Sequence, residues 1–208
     1  MDATNSRRHV LDDLGEKERM DTNTEPAHPA ADRAVALLRE LGAEGMAHPG
    51  GTLLAHLRRV QDRLALWRAR PALQLAGLCH AFYGTDGFPT GLLPVDRRTD
   101  LAALIGTEAE EIVYVYASCD RKATYPDLAR PGAPVHDRFT GLSRVPEPQL
   151  RRDFAELSAA NELDLARIDP AFREQWGPGL LALFTRLQDL LSADAWLDCR
   201  TVLAAPAM

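Results

Sequence analysis

The sequence predicts an all-α fold, on three observations. Apolar residues recur at helical spacing along most of the chain after residue 30. The breaks between these stretches carry Gly, Pro and capping residues. No two alternating runs are joined by a hairpin turn. The stretch IVYVY (112–116) is β-rich in type, but it is short, lies on a helical stripe and has no partner run. No internal repeat is present.

Each element follows from its own residues. Residues 1–29 are polar and charged without a sustained period, and read as a mobile tail whose removal changes stability little. Ala34, Leu37, Leu38 and Leu41 mark a helix from Ala30 to about Gly42, ended by Gly42 and Gly45. After the loop GMAHPGG, Thr52 caps a helix to about Arg68. Pro71 suits the first turn of a third helix, through about Phe82. The Gly- and Pro-rich loop YGTDGFPTGLLPVD follows. Asp96 or Thr99 caps a short helix, Asp100 to Ile105. The next helix runs to about Cys119, with Thr107 at its cap and Glu110 three residues on. Residues 121–146 are rich in Pro, Thr and Gly and read as a long irregular loop, of the kind that forms lids or binding walls. Helical pattern resumes from Glu147 to about Ile168. Pro170 starts a segment containing Trp176, and GLLALFTRLQDLL and a helix around Trp196 close the fold.

Composition narrows the function classes. With 208 residues and 46% hydrophobic content, residues 30–208 suffice for one sizeable core and a single domain. The net charge of −6, with scattered basic residues, gives no footprint for nucleic acid or an anionic membrane. No run reaches the roughly 18 apolar residues of a membrane span, and the N-terminal stretch lacks the apolar run of a signal peptide. Cys79, Cys119 and Cys199 form no CxxC pair. Cys79 and Cys119 read as small core residues of a reduced, cytoplasmic protein. Trp67, Trp176 and Trp196 read as core.

The informative feature is three ionisable residues where apolar ones are expected. His56 shares a helical face with Leu53, Leu57, Val60 and Leu64. His80 shares one with Leu73, Ala76 and Gly77, and Asp120 extends the stripe of Ile112, Val113 and Tyr116. A buried imidazole or carboxylate is costly unless it is paired or bound to a metal. Three of them on successive helices point to a metal site or an acid–base site; the competing reading is core histidines bonded to carbonyls and a helix-end aspartate. Imidazole nitrogen and carboxylate oxygen suit zinc, iron or manganese. His48 and Asp86, in adjacent loops, are candidates to complete a coordination sphere or act as general base. Tyr83 and Thr85 flank the turn after His80, where their hydroxyls would orient a ligand. Arg97, Arg98 and Arg121 are candidates to hold a substrate's anionic group, against the plainer reading of solvated helix ends. No GxGxxG follows a strand, and there is no GKS or GKT, no GxSxG and no HExxH. These absences argue against nucleotide-fold enzymes, serine hydrolases and the common zinc peptidases.

His56, the run LCHAFYGTDGF, the run IGTEAEEIVYVYASCDR and the later AANELD (159–164) together resemble the DUF6817-type proteins, over roughly residues 30–165. Those proteins look like distant relatives of the HD-domain superfamily. The resemblance implies an HD-domain-like helical bundle that binds one or two metal ions. Carried over, the first His of that pattern matches His56, the His of the His-Asp pair matches His80, and the last Asp matches Asp120. One position departs: Ala81 stands where the paired Asp is expected, which puts a dinuclear centre in doubt. Either Asp86 or His48 substitutes, or one metal sits on His56, His80 and Asp120, or the pocket does acid–base or binding work without metal.

The leading expectation is therefore a metal-dependent enzyme acting on a small-molecule substrate, with phosphoester hydrolysis first. The divalent metal ion would be Fe, Mn or Zn. An iron oxygenase with the same ligands is the second reading, and a metal-free binding or regulatory module the third. No nucleic-acid or membrane partner is expected.

Overall fold

The computed structural model describes residues 29–204, and over them the chain is mainly helical, as the apolar spacing predicts. The helices are α1 (Pro29–Glu40), α2 (Leu53–Leu66), α3 (Pro71–Cys79), α4 (Arg98–Ile105), α5 (Thr107–Ser118), α6 (Arg121–Thr124), α7 (Pro148–Ile168), α8 (Pro170–Arg186) and α9 (Ala193–Leu203). Single 3-10 turns precede α4 and follow α8. The tail expected over residues 1–29 lies outside the described residues, except for Pro29, which opens α1.

Local chemistry sets most of these ends. The Thr52 hydroxyl accepts from the Ala55 N–H at 3.2 Å and starts α2. Pro71 sits in the first turn of α3, where its missing N–H costs nothing. Asp169 accepts from Ala171 and Phe172 N–H groups at 3.0 and 3.1 Å and starts α8. Ser192 does the same for α9. The two segments read after Pro170 are one helix, which runs through Pro178. The capping box expected at Thr107 does not form. Gly106 takes the cap position at φ 89°, and Glu110 turns inward instead.

Two helices form the centre. α5 is buried from Ala109 to Ser118 apart from Glu111, and α7 is buried from Asp153 to Asp164. α7 packs against α2, α3, α5, α8 and α9, so it has almost no solvent face along this stretch. Small residues there (Ala155, Ser158, Ala159, Ala160) let neighbours approach. Its acidic residues then need partners. Asp153 receives two bonds from the Arg70 guanidinium, at 3.2 and 2.5 Å. Glu156 accepts from the Ser192 hydroxyl at 2.6 Å.

Three expectations need correction. The chain does contain hairpins. β1 (Ala47–His48) pairs antiparallel with β2 (Gly51–Thr52), and β3 (Val135–His136) with β4 (Ser143–Arg144). Two-residue strands are too short to show alternation. Residues 121–146 are irregular over most of their length but also hold α6 and the β3–β4 hairpin. This segment is tied to α5 by Arg138 N–H to the Ser118 carbonyl (2.7 Å) and by the Tyr114 hydroxyl to Asp137 (2.6 Å). Trp176 is 53% exposed and is not core, whereas Trp67 is buried and Trp196 packs partly buried against the core. Cys79 and Cys119 are buried as expected, and so is Cys199. No helix among the described residues is long and apolar enough to cross a membrane.

Candidate functional site

The site is built where α2, the end of α3 and the middle of α7 meet. His56 and Arg59 lie three residues apart on α2 and so share a face. Asn161 and Asp164 lie three apart on α7 and face them. The His56 Nδ1–H donates to Asp164 Oδ2 at 2.7 Å. The same carboxylate receives Arg59 Nε at 2.8 Å and Nη2 at 2.9 Å. At the far side of the ring, His56 Nε2 lies 3.1 Å from Asn161 Oδ1 and 3.4 Å from His80 Nε2.

His80 is placed by the end of its helix. α3 stops at Cys79, and His80 occupies the cap. Its Nδ1–H donates to the Gly77 carbonyl at 2.7 Å, satisfying one of the last-turn acceptors. Nε2 is then the ring's lone-pair nitrogen, and it faces His56. The Tyr116 ring packs edge-on against His80, with centroids 5.3 Å apart.

The hydrogen-bond pattern fixes the protons. Asn161 Nδ2 donates to Glu162 Oε1 at 3.3 Å, so its Oδ1 is the atom turned to His56. An amide oxygen and the His80 lone pair are both acceptors. His56 satisfies them by carrying N–H at Nε2 while its Nδ1–H serves Asp164. Both ring nitrogens thus donate, and the Asp164 carboxylate is the counter-charge.

Electrostatics agree. Burial, then the nearby His56 charge, pushes the His80 pKa down from 6.5 to about 3, so His80 stays neutral. Burial alone would raise Asp164, but the hydrogen bonds from His56 and Arg59 outweigh it and hold its pKa at about 2. Burial, then His56, lowers His48 to about 4.

A cavity of about 300 Å³ opens over this pair, at the small end for a small-molecule site. Pro49, Leu53, Phe88, Leu165 and Phe172 make apolar walls. His48, His56, His80, Arg121, Asn161 and Glu162 supply polar groups, with Asp169 at the rim. His48, on the β1–β2 hairpin, stacks on His56 with centroids 4.1 Å apart and planes at 21°. Arg121 Nη1 donates to Glu162 at 2.8 Å and Nη2 to the Tyr116 hydroxyl at 2.9 Å. Thr85 is the one hydroxyl residue among the described lining residues, and its Oγ1 accepts from Phe88 N–H at 3.0 Å.

The structure thus brings together His48, His56, His80, Thr85 and Arg121 from the sequence candidates, and separates the others. Asp120 does not join the histidines: its carboxylate caps α6, accepting from Ala123 N–H at 2.9 Å. α5 ends at Ser118 and Cys119 is extended, so the helical stripe loses phase before it reaches Asp120. The carboxylate on His56 is Asp164. Asp86 is exposed, accepts the Arg121 backbone N–H at 3.3 Å and does not line the cavity. Arg97 pairs with Asp100 at 2.6 Å, and Arg98 holds Glu110 through two bonds at 2.7 and 2.8 Å. Tyr83 donates to that same Glu110 at 2.9 Å. Arg98 and Tyr83 meet on Glu110 of α5, Arg97 stays at the exposed start of α4, and none of the three lines the cavity. Arg59, Asn161, Glu162 and Asp164 carry site roles that the sequence reading did not assign, although AANELD was noted. The one signal in the sequence is the i, i+3 spacing of Asn161 and Asp164, and it is masked by the many other polar residues of α7.

The donor set bears on a metal. Two imidazole nitrogens 3.4 Å apart match the about 3.3 Å between two ligands of a tetrahedral zinc. The third group beside them is a neutral amide rather than a carboxylate, and Ala81 carries no donor. Among the described residues, no group of three or more His, Cys, Asp or Glu side chains could hold a metal ion. The residues present do not fit the metal set that the resemblance implies.

No curated protein and no solved structure matches the chain. A family model does match residues 37–121, from within α1 to the start of α6; it takes in His48, His56, His80 and Arg121 but ends before α7. Over that segment the chain matches the family described as Domain of unknown function (DUF6817), in keeping with the resemblance read from LCHAFYGTDGF and its neighbours.

Proposed function

We propose that the cavity is a metal-independent acid–base site for a small molecule, with His56 as the proton-transferring group. The observation that carries this reading is the hydrogen bonding of His56: protons alone satisfy Asp164, Asn161 and His80 around it. Asp164 holds the ring in one orientation and offsets its charge, with Arg59 fixing the carboxylate in turn. His56 gives up its Nε2 proton to a polar atom of the bound molecule, and the neutral ring takes a proton back at Nε2 to complete the cycle. His80 Nε2 is a neutral acceptor beside that proton. The apolar walls hold the remainder of the molecule and keep water away, which strengthens the proton's interactions.

Charge supports the same reading. With both ring nitrogens donating, His56 counts as a cation beside Arg59 and Arg121; Asp164, Glu162 and Asp169 are three carboxylates. A divalent ion in place of the Nε2 proton would leave one excess positive charge in a largely buried site. Thiol-based covalent catalysis has no support, since all three cysteines are buried and burial raises their pKa values.

A second reading keeps the HD-type relationship and a metal-dependent hydrolase or oxygenase, and the Nε2–Nε2 spacing of 3.4 Å favours it. One experiment separates the two. Small polar molecules, including phosphoesters, are screened by ligand-observed NMR and for turnover, with and without a chelator. The acid–base reading predicts chelator-insensitive binding that His56→Gln abolishes. Binding or turnover that needs added Zn2+, Mn2+ or Fe2+ would overturn it.

A further inference from the structure

We propose that Asn161 is the residue that selects a proton over a divalent metal ion at the His56–His80 pair, and that a carboxylate at this one position makes the pair a metal site. The inference rests on the metal-independent reading of the same site.

Three observations carry it. The first is geometric. The two Nε2 atoms already stand 3.4 Å apart, and Asn161 Oδ1 stands 3.1 Å from His56 Nε2. Spacings of about 3 to 3.5 Å are those of neighbouring ligands around a small divalent cation. Asparagine and aspartate have the same shape, so Asn161→Asp leaves an oxygen in place without repacking α7.

The second is charge. With Asn161 neutral, the Nε2 proton balances the three carboxylates against the three cations. Aspartate adds one negative charge, and replacing the proton by a divalent ion adds one positive charge, so the balance is restored. Metal is disfavoured in the natural chain and favoured in the variant by the same count.

The third is the Glu162 contact. Asn161 Nδ2 donates to Glu162 Oε1 at 3.3 Å. In Asn161→Asp that contact becomes carboxylate against carboxylate, with Arg121 already committed to Glu162 at 2.8 Å. A cation on the histidine side relieves the repulsion. The imidazole orientations are set independently of residue 161, by Asp164 on one ring and the Gly77 carbonyl on the other. Such outer partners tune affinity for a bound metal by about 10- to 100-fold, and here they are already in place.

The test is titration of the full chain and of Asn161→Asp with Co2+ and with Zn2+, followed by calorimetry and by the visible Co2+ bands. Circular dichroism checks that each variant is folded. The expected result is little binding by the natural chain, binding by Asn161→Asp tighter by about 100-fold or more, and its loss again in Asn161→Asp/His80→Gln. A folded Asn161→Asp that gains no affinity overturns this inference and leaves the metal-independent reading standing. Tight binding by the natural chain, lost in His80→Gln, overturns that reading itself. If Asn161→Asp is unfolded without metal, Asn161→Glu serves as the second variant, and a melting temperature that rises with added Zn2+ supports the inference.

Discussion

At the residue scale the molecule turns on Asp164. It is 1% exposed and receives three charge-assisted bonds, one from His56 and two from Arg59. Asp164→Asn removes the charge while keeping the shape, leaving two cationic partners facing a neutral amide. Breaking a buried pair on one side costs about 3 to 5 kcal/mol. The expected loss is near the lower figure, since Arg59 is partly exposed, and urea unfolding measures it. Arg59→Met should cost less, about 1 to 2 kcal/mol, because His56 still serves the carboxylate. A loss for Arg59→Met as large as that for Asp164→Asn would show that Arg59, not His56, is the principal partner.

The same scale shows what the sequence held and what it hid. His56 and His80 were legible because each interrupts an apolar helical stripe, and the structure puts their Nε2 atoms together. Asp164 was hidden because Asn161, Glu162 and Asp164 fall within four positions of a helix already rich in charged residues, which looks like a solvated face. Only the surrounding helices make that face interior. Asp120 misled for the opposite reason: its stripe was genuine through Tyr116, but the helix ended first.

At the element scale the site depends on how closely α2 and α3 approach. Gly77 makes this contact: a Cβ there would come within 2.5 Å of Leu64 Cδ1 and 3.5 Å of Val60 Cγ1. Gly77 also offers the carbonyl that orients His80. Gly77→Val should therefore destabilise by about 1 to 3 kcal/mol through overpacking. It should also disturb His80, seen as a change in its imidazole NMR signals. A Gly77→Val chain as stable as the natural one would contradict the close approach. The helices themselves were readable from spacing and caps. The hairpins were not, because β1–β2 and β3–β4 are held by turns and tertiary contacts rather than by alternation. The β1–β2 hairpin matters most, since it carries His48 onto the His56 ring, and Arg59 Nη2 reaches the Pro49 carbonyl at 3.4 Å to anchor it.

At the scale of the whole molecule, buried histidines make stability depend on pH. The folded chain binds a proton at His80 less readily than the unfolded chain does. Protonation therefore favours unfolding, so this contribution is intact above about pH 6.5 and declines as pH falls toward about 3. His48 adds a smaller decline toward about 4, discounted because it is half-exposed. Asp164, held below its ordinary 3.8, adds a last loss between that value and about 2. Unfolding free energy should thus fall steadily from pH 6.5 to 4, and His48→Gln/His80→Gln should flatten that slope. An unchanged slope in the double variant would assign the acid sensitivity elsewhere.

The most direct measurement is an imidazole 15N–1H correlation spectrum at neutral pH, recorded before and after exhaustive chelation. The account predicts a neutral His80 with its proton at Nδ1, a His56 protonated at both nitrogens with a strongly deshielded Nδ1–H toward Asp164, and no change on chelation. Nε2 signals of both rings that shift together when metal is withdrawn would contradict it.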